Sequence, residues 1–199
     1  MTSASPPTPA TTTAELLARL AAHHADTHQH SLRVARLAVA LAENAGVALR
    51  LGDKLGEAAQ LHDIGKLAIP AALLNKTGGL SAGERTRFQR HTHDGATLLA
   101  PIAGAVLAQA IAQNHHERWD GSGYPSGLCR EAIPLGARLV ALADVYDALR
   151  APRAYKDGRT HPEVLATMTR MNQQFDPNLL TVFLVKEARI AQSYDKVQS

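Results

Sequence analysis

Two pairs of adjacent side chains in this sequence have the chemistry of metal ligands. The first is His62-Asp63, followed by Ile64-Gly65-Lys66 at what reads as a helix end. Successive helical residues point about 100° apart, so the two side chains cannot aim one way. They can flank a pair of ions, the carboxylate bridging both while the imidazole takes one. Gly65 then ends the helix and removes bulk near the site. A bare His-Asp dipeptide is most often a polar helix end, but the Ile-Gly-Lys behind it reverses those odds.

The second pair is His115-His116, ahead of Glu117-Arg118-Trp119-Asp120-Gly121-Ser122-Gly123-Tyr124-Pro125. Two adjacent imidazoles are awkward core residues, because both rings need buried partners. As ligands to neighbouring ions they make sense. Asp144 sits among Val140, Ala141, Leu142, Ala143 and Val145, where a carboxylate is costly to bury unless paired or metal-bound. His30 and His91 lie on two further helices, and either alone would read as an ordinary hydrogen-bonded histidine. Together, five imidazoles and two carboxylates from separate helices describe a metal site in a bundle core. Nitrogen and oxygen donors without a thiolate suit iron, manganese or zinc. Two ions about 3.5–4 Å apart would activate a bridging hydroxide and stabilise a phosphoryl transition state, so phosphoester hydrolysis is the expected reaction class.

The elements that must position these groups read as helices. Alanine and leucine dominate, aromatics make up 4% of the 199 residues, and strand signals are scarce, so an all-α bundle is expected. Residues 1–13, rich in Ser, Thr, Pro and Ala, read as a disordered leader, and 14–199 as one domain. Val34, Leu37, Ala38, Leu41 and Ala45 mark the apolar face of a helix over about 27–44, with Gly46 as its stop. A second helix is expected over about 52–64. Ser81 with Glu84 forms a capping box opening a helix to about Leu99, and Pro101 opens another to about His116. Residues 119–134, with Gly121, Gly123, Pro125 and Gly127, read as a long ordered loop of the kind that carries function. Helices follow over about 134–149, 161–171 and 177–191.

Composition narrows the function class. A net charge of +3 is too small to imply nucleic-acid binding, although it can help attract a small anion. The single cysteine, Cys129, excludes an internal disulfide and fits a reducing compartment. No apolar run is long enough to span a bilayer, and the first residues lack a signal-peptide pattern. A cytoplasmic protein acting without membrane or nucleic acid is the expectation.

The same residues resemble the HD-GYP family, a branch of the HD metal-dependent phosphohydrolases. The similarity runs through His30 to Ala35, Leu61 to Lys66, Ile69-Pro70, Leu74 to Lys76, His91 with Gly95, His115 to Pro125, and Ile133-Pro134. It continues through Arg138 to Leu149, Arg153 to Lys156 and Phe175 to Pro177. The resemblance implies an all-α fold, a centre of two or three divalent ions, and hydrolysis of cyclic di-GMP to pGpG or onward to GMP. By motif, the implied metal ligands are His30, His62, Asp63, His91, His115, His116 and Asp144. It implies catalytic roles for Asp63 and for Lys66, whose ammonium would stand near the scissile phosphate; a plain helix-end cation is the other reading of Lys66. Gly123, Tyr124 and Pro125 would line the substrate pocket, or brace His115 and His116, or both. Arg153 and Lys156 would hold substrate phosphate, against a solvated basic turn. Trp119 is either a packing anchor for the loop or a guanine-stacking ring.

Asp26, four residues before His30, is a candidate third-metal ligand. With Gln29 behind it, Asp26 reads better as a helix N-cap, so two ions are expected. His23, His24, His28, His93 and His161 match no ligand position and read as surface residues. Two alternatives stay open: hydrolysis of another cyclic dinucleotide, and a signalling module that binds ligand or a partner such as a diguanylate cyclase.

Overall fold

The computed structural model describes residues 12–151 and 158–195. Arg153 and Lys156 lie outside the described residues. Those described form α-helices and short 3-10 turns and contain no strand. The expected all-α class is what the chain adopts.

The helix α1 (Thr13–His23) begins under a capping box of Thr12 and Glu15 and buries Leu16 and Leu20. Its partner α2 (Ala25–Asn44) is the central rod, and Val34, Leu37, Ala38 and Leu41 on its inner face are fully buried. The N-cap of α2 is His24, not Asp26: His24 has extended backbone, and its Nδ1 accepts the Thr27 N–H at 3.1 Å. Asp26 is exposed in the first turn, where its charge meets the positive helix end. Gly46, at φ 68°, takes the left-handed position after α2, and the Val47 N–H reaches back to the Ala42 carbonyl at 2.9 Å, closing a Schellman-type end.

Short helices α3 (Ala48–Leu51) and α4 (Leu55–Gln60) follow. The expected helix to Ile64 stops at Gln60; His62 and Asp63 occupy turns, and Gly65 lies within a 3-10 helix, Ile64–Ala68. Beyond α5 (Ala71–Leu74), the Ser81–Glu84 capping box opens α6 (Ala82–Gln89). The single helix read to Leu99 is two, divided at Arg90, with α7 (His91–Leu99) beginning on His91. The next helix, α8 (Val106–Asn114), starts later than Pro101 because residues 101–105 form turns. The long loop then runs to α9 (Leu135–Arg150), interrupted by one 3-10 turn, Arg130–Ala132. Three helices close the described chain: α10 (His161–Arg170), α11 (Pro177–Val185) and α12 (Glu187–Asp195).

Helices α4, α9, α1, α11 and α12 pack around α2, while α7 and α8 pair beside the 3-10 turn that follows Asp63. Leu139, Leu142 and Tyr146 of α9 and Phe183 of α11 complete the core. Each ligand-bearing segment is thereby fixed by an apolar face burying a few kcal/mol of side chain. Among the described residues, no helix is long and apolar enough to cross a membrane.

Candidate metal centre

Five segments bring the seven ligand candidates together. His30 comes from α2, His62 and Asp63 from the turn after α4, and His91 from the first position of α7. His115 and His116 come from the end of α8, and Asp144 from the middle of α9. Their donor atoms form two groups, Asp63 with His91, His115 and His116, and His30 with His62 and Asp144; within each, all lie inside 4.8 Å of one another. Asp63 faces both groups. Its Oδ1 lies 3.4 Å from His91 Nε2 and 3.7 Å from His115 Nε2; its Oδ2 lies 3.3 Å from His62 Nε2 and 3.7 Å from His30 Nε2.

Hydrogen bonds at the far side of each ring decide which nitrogen points inward with a lone pair. Nδ1 of His62 lies 2.9 Å from the Ala59 carbonyl, Nδ1 of His91 2.7 Å from that of Phe88, and Nδ1 of His115 3.0 Å from that of Ala112. A carbonyl only accepts, so Nδ1 carries the proton and Nε2 the lone pair. The His62 Nε2 and Asp63 Oδ1 atoms are buried with no hydrogen-bond partner, and His91 Nε2 faces His115 Nε2 at 3.3 Å. Buried lone pairs gathered without a proton between them fit a divalent cation and little else.

Electrostatics agree for His91, His116 and both carboxylates, while His30 is held on two carboxylates. Burial, with the like charge of His115, pushes the His91 imidazole down to about 3 and that of His116 well down also, so both stay neutral as ligands must. Burial works against the Asp63 charge, but Lys66 and His62 outweigh it and hold the carboxyl well below its usual range. Asp144 is likewise held low, against burial, by His30. His30 itself is pushed up to about 9, because hydrogen bonds to Asp144 and Asp147 overcome its burial. Lys66 Nζ donates to Asp63 Oδ2 at 2.5 Å and lies 5.4 Å from the centre of the Phe88 ring.

Glycines set the spacing. A Cβ on Gly65 would stand 1.9 Å from the His91 carbonyl oxygen and 2.5 Å from the Gly95 nitrogen, so bulk is excluded where the Asp63 turn meets α7. A Cβ on Gly123 would come within 2.4–2.6 Å of backbone at His116, Glu117 and Arg118. The loop therefore folds back directly onto the His115-His116 segment. The Tyr124 N–H donates to the His116 carbonyl, and the Tyr124 ring stacks on the His116 ring at 4.8 Å and 27°. Burial and the Asp63 and Asp144 charges push the Tyr124 phenol up, keeping it a donor. Pro125 is exposed at the loop tip. Trp119 packs under the Arg138 guanidinium at 5.7 Å, and its backbone N–H donates to the Gln174 carbonyl.

Three side chains here escaped the sequence reading. Glu117 is 2% exposed and accepts from the Ser126 and Leu128 N–H groups at 2.7 and 3.1 Å, pinning the loop. Buried Asp147 and half-buried Arg33 form a pair behind His30; their positions three residues after Asp144 and His30 were the available signal. Asp26 belongs to neither ligand group among the described residues. Nor are all the remaining histidines plain surface residues. His23 Nε2 contacts the Ile69 carbonyl, and His161 links the Tyr146 hydroxyl to Glu187 at 2.8 Å each.

Comparison with known proteins agrees with this geometry. A family model of the HD domain matches residues 15–179. A Pseudomonas aeruginosa protein named as a cyclic di-GMP phosphodiesterase is 40% identical over 169 residues, which cover 84% of this chain and 41% of the relative. A Vibrio cholerae protein named 3'3'-cGAMP-specific phosphodiesterase 2 is 39% identical over 180 residues, 87% of this chain and 34% of the relative. This chain thus spans well under half of each of these relatives. Among solved structures, the HD domain of the Listeria monocytogenes phosphodiesterase PgpH, in complex with cyclic-di-AMP, shares the fold at TM-score 0.63. It is 19% identical, with 89% of this chain and 94% of that one covered. Signature, fold and family model converge: this chain belongs to the HD domain family, in its HD-GYP branch.

Proposed function

We propose that the chain is a metal-dependent phosphodiesterase that hydrolyses cyclic di-GMP to pGpG or onward to GMP. The observation that carries this reading is Asp63, buried between two groups of inward-facing lone pairs with one oxygen toward each. Asp63 with His91, His115 and His116 would hold one ion, and His30, His62 and Asp144 the other, with Asp63 shared. Iron or manganese suits this donor set. When bound, two such ions supply a nucleophilic hydroxide at neutral pH and offset charge on the phosphoryl oxygens.

The chain's own groups do the rest. Lys66, held on Asp63, presents an ammonium whose proton can go to the departing ribose oxygen as the P–O bond breaks. Tyr124 offers a hydroxyl donor and a ring edge to the nucleotide, and the Gly123 backbone permits close approach. Arg153 and Lys156 are assigned to the substrate phosphates. The lone thiol Cys129 is exposed and suits work in the reducing cytoplasm.

The test is anaerobic purification, metal analysis and chromatography of products from cyclic di-GMP on one sample. Intact cyclic di-GMP from folded, metal-loaded protein would refute the reading. A second substrate is favoured by the 39% identity to the cGAMP-specific relative; the same assay with 3'3'-cGAMP in competition ranks the two.

A further inference from the structure

His30 differs from its neighbours in what holds the back of its ring. His62, His91 and His115 place Nδ1 on backbone carbonyls, whereas His30 places Nδ1 on the Asp147 carboxylate at 2.6 Å. Asp147 is 1% exposed, so its charge needs partners. Arg33 supplies them: Nε donates to Oδ1 at 2.6 Å and Nη2 to Oδ2 at 3.0 Å, a two-pronged grip. Asp147 follows Asp144 by three residues on α9, and Arg33 follows His30 by three on α2. Two pairs of neighbouring side chains thus face each other across the α2–α9 contact. One carboxylate, Asp144, meets His30 Nε2 at 3.0 Å, and the other holds its opposite nitrogen.

We propose that Asp147, clamped by Arg33, is a positioning residue that makes the His30, His62 and Asp144 half of the metal centre competent to bind its ion. Resting on the proposed two-ion centre, this assigns the halves different supports. In the first half His91 and His115 lean on backbone carbonyls, which no substitution at position 147 removes. In the second His62 does so too, but His30 leans on one buried side chain. Asp147 lies on the ring nitrogen away from the other candidate ligands and belongs to neither ligand group; its carboxylate fixes the Nδ1–H tautomer, aims Nε2 and raises its basicity. Asparagine cannot replace it. Three N–H donors, one from His30 and two from Arg33, converge on the two carboxylate oxygens, and the amide would turn its own NH2 toward one of them.

The experiment loads the full chain with Mn2+ alone and reads ions per chain, the affinity of each ion, and the electron paramagnetic resonance spectrum. Wild type should hold two ions with the signature of a coupled pair. Asp147→Asn should keep helical content, weaken the second ion about 10–100-fold, and show an uncoupled mononuclear signal, matching His30→Ala. Arg33→Lys keeps the charge but loses the grip; it should shift second-ion affinity the same way and less far. That variant decides the matter if Asp147→Asn does not fold. Two coupled ions at wild-type affinity in the folded variants would overturn the assignment, as would equal weakening of both ions. If wild type binds no Mn2+, the two-ion centre itself falls, a result distinct from failure of Asp147's role.

Discussion

The Nε2 atoms of His91 and His115 lie 3.3 Å apart, and each ring commits its Nδ1 proton to a carbonyl. Two lone pairs therefore confront each other in a buried space, beside an Asp63 oxygen that has no hydrogen-bond donor. Without a cation this arrangement is repulsive, so a bound ion would add to the stability of the folded state.

Chelation should accordingly lower the melting temperature. An ion present at about 100 times its dissociation constant adds about 2.7 kcal/mol. In a domain of this size that corresponds to a shift of about 5–10 °C, restored by adding Mn2+ back. Thermal unfolding with and without chelator reads it directly. A melting point indifferent to metal would mean that the clustered imidazoles are satisfied in some other way.

Gly65→Ala should be far more damaging than Gly95→Ala. The new methyl of the first meets the His91 carbonyl at 1.9 Å, whereas that of the second meets the Gly65 nitrogen at 3.2 Å. Overpacking of this kind costs about 1–3 kcal/mol or more, and relief can come only by moving α7 and His91 away from Asp63. Gly65→Ala should thus lose metal as well as stability, and Gly95→Ala should keep most of both. Similar metal content and melting points in the two would contradict this packing.

The His/Asp cluster was legible in the sequence because the candidate ligands sit in short motifs of unusual residue type. All seven lie around one centre, and the all-α class followed from composition and period. What could not be read acts across helices. Glu117 matters only through loop partners nine or more residues away, and Asp147 offered no local signal beyond its place three residues after Asp144. Helix ends failed for a related reason. The residue that caps α2 is a histidine, a type seldom assigned that role, and the divisions at Arg90 and after Gln60 serve the placement of His91 and Asp63 rather than any local Gly or Pro signal.

Glu117→Gln should separate substrate binding from metal binding. The carboxylate accepts two loop N–H groups, at Ser126 and Leu128; an amide can accept only through its single oxygen and leaves one donor facing an NH2. That costs about 1–3 kcal/mol of local order, in the loop that carries Tyr124. Metal content should hold at the wild-type value while KM for cyclic di-GMP rises several-fold. Loss of metal with unchanged KM would show that Glu117 supports His115 and His116 instead.

Asp26 and His24 can be told apart by stability and ion count together. His24 Nδ1 accepts the Thr27 N–H, while its Nε2 lies 3.1 Å from Asn75 Oδ1, so one ring ties the start of α2 to the turn after α5. His24→Ala should therefore cost about 1 kcal/mol, the usual worth of an N-cap. Asp26 is exposed in the first turn and serves only the helix dipole there, which is worth about 0.3–1 kcal/mol and is screened by salt. Asp26→Ala should cost less than His24→Ala, lose even that small cost in high salt, and leave two ions per chain. Its carboxylate stands one turn before His30, so a wild type with three ions and an Asp26→Ala variant with two would instead make it a ligand. Chemical denaturation at low and high salt, run beside metal analysis of the same preparations, distinguishes the outcomes.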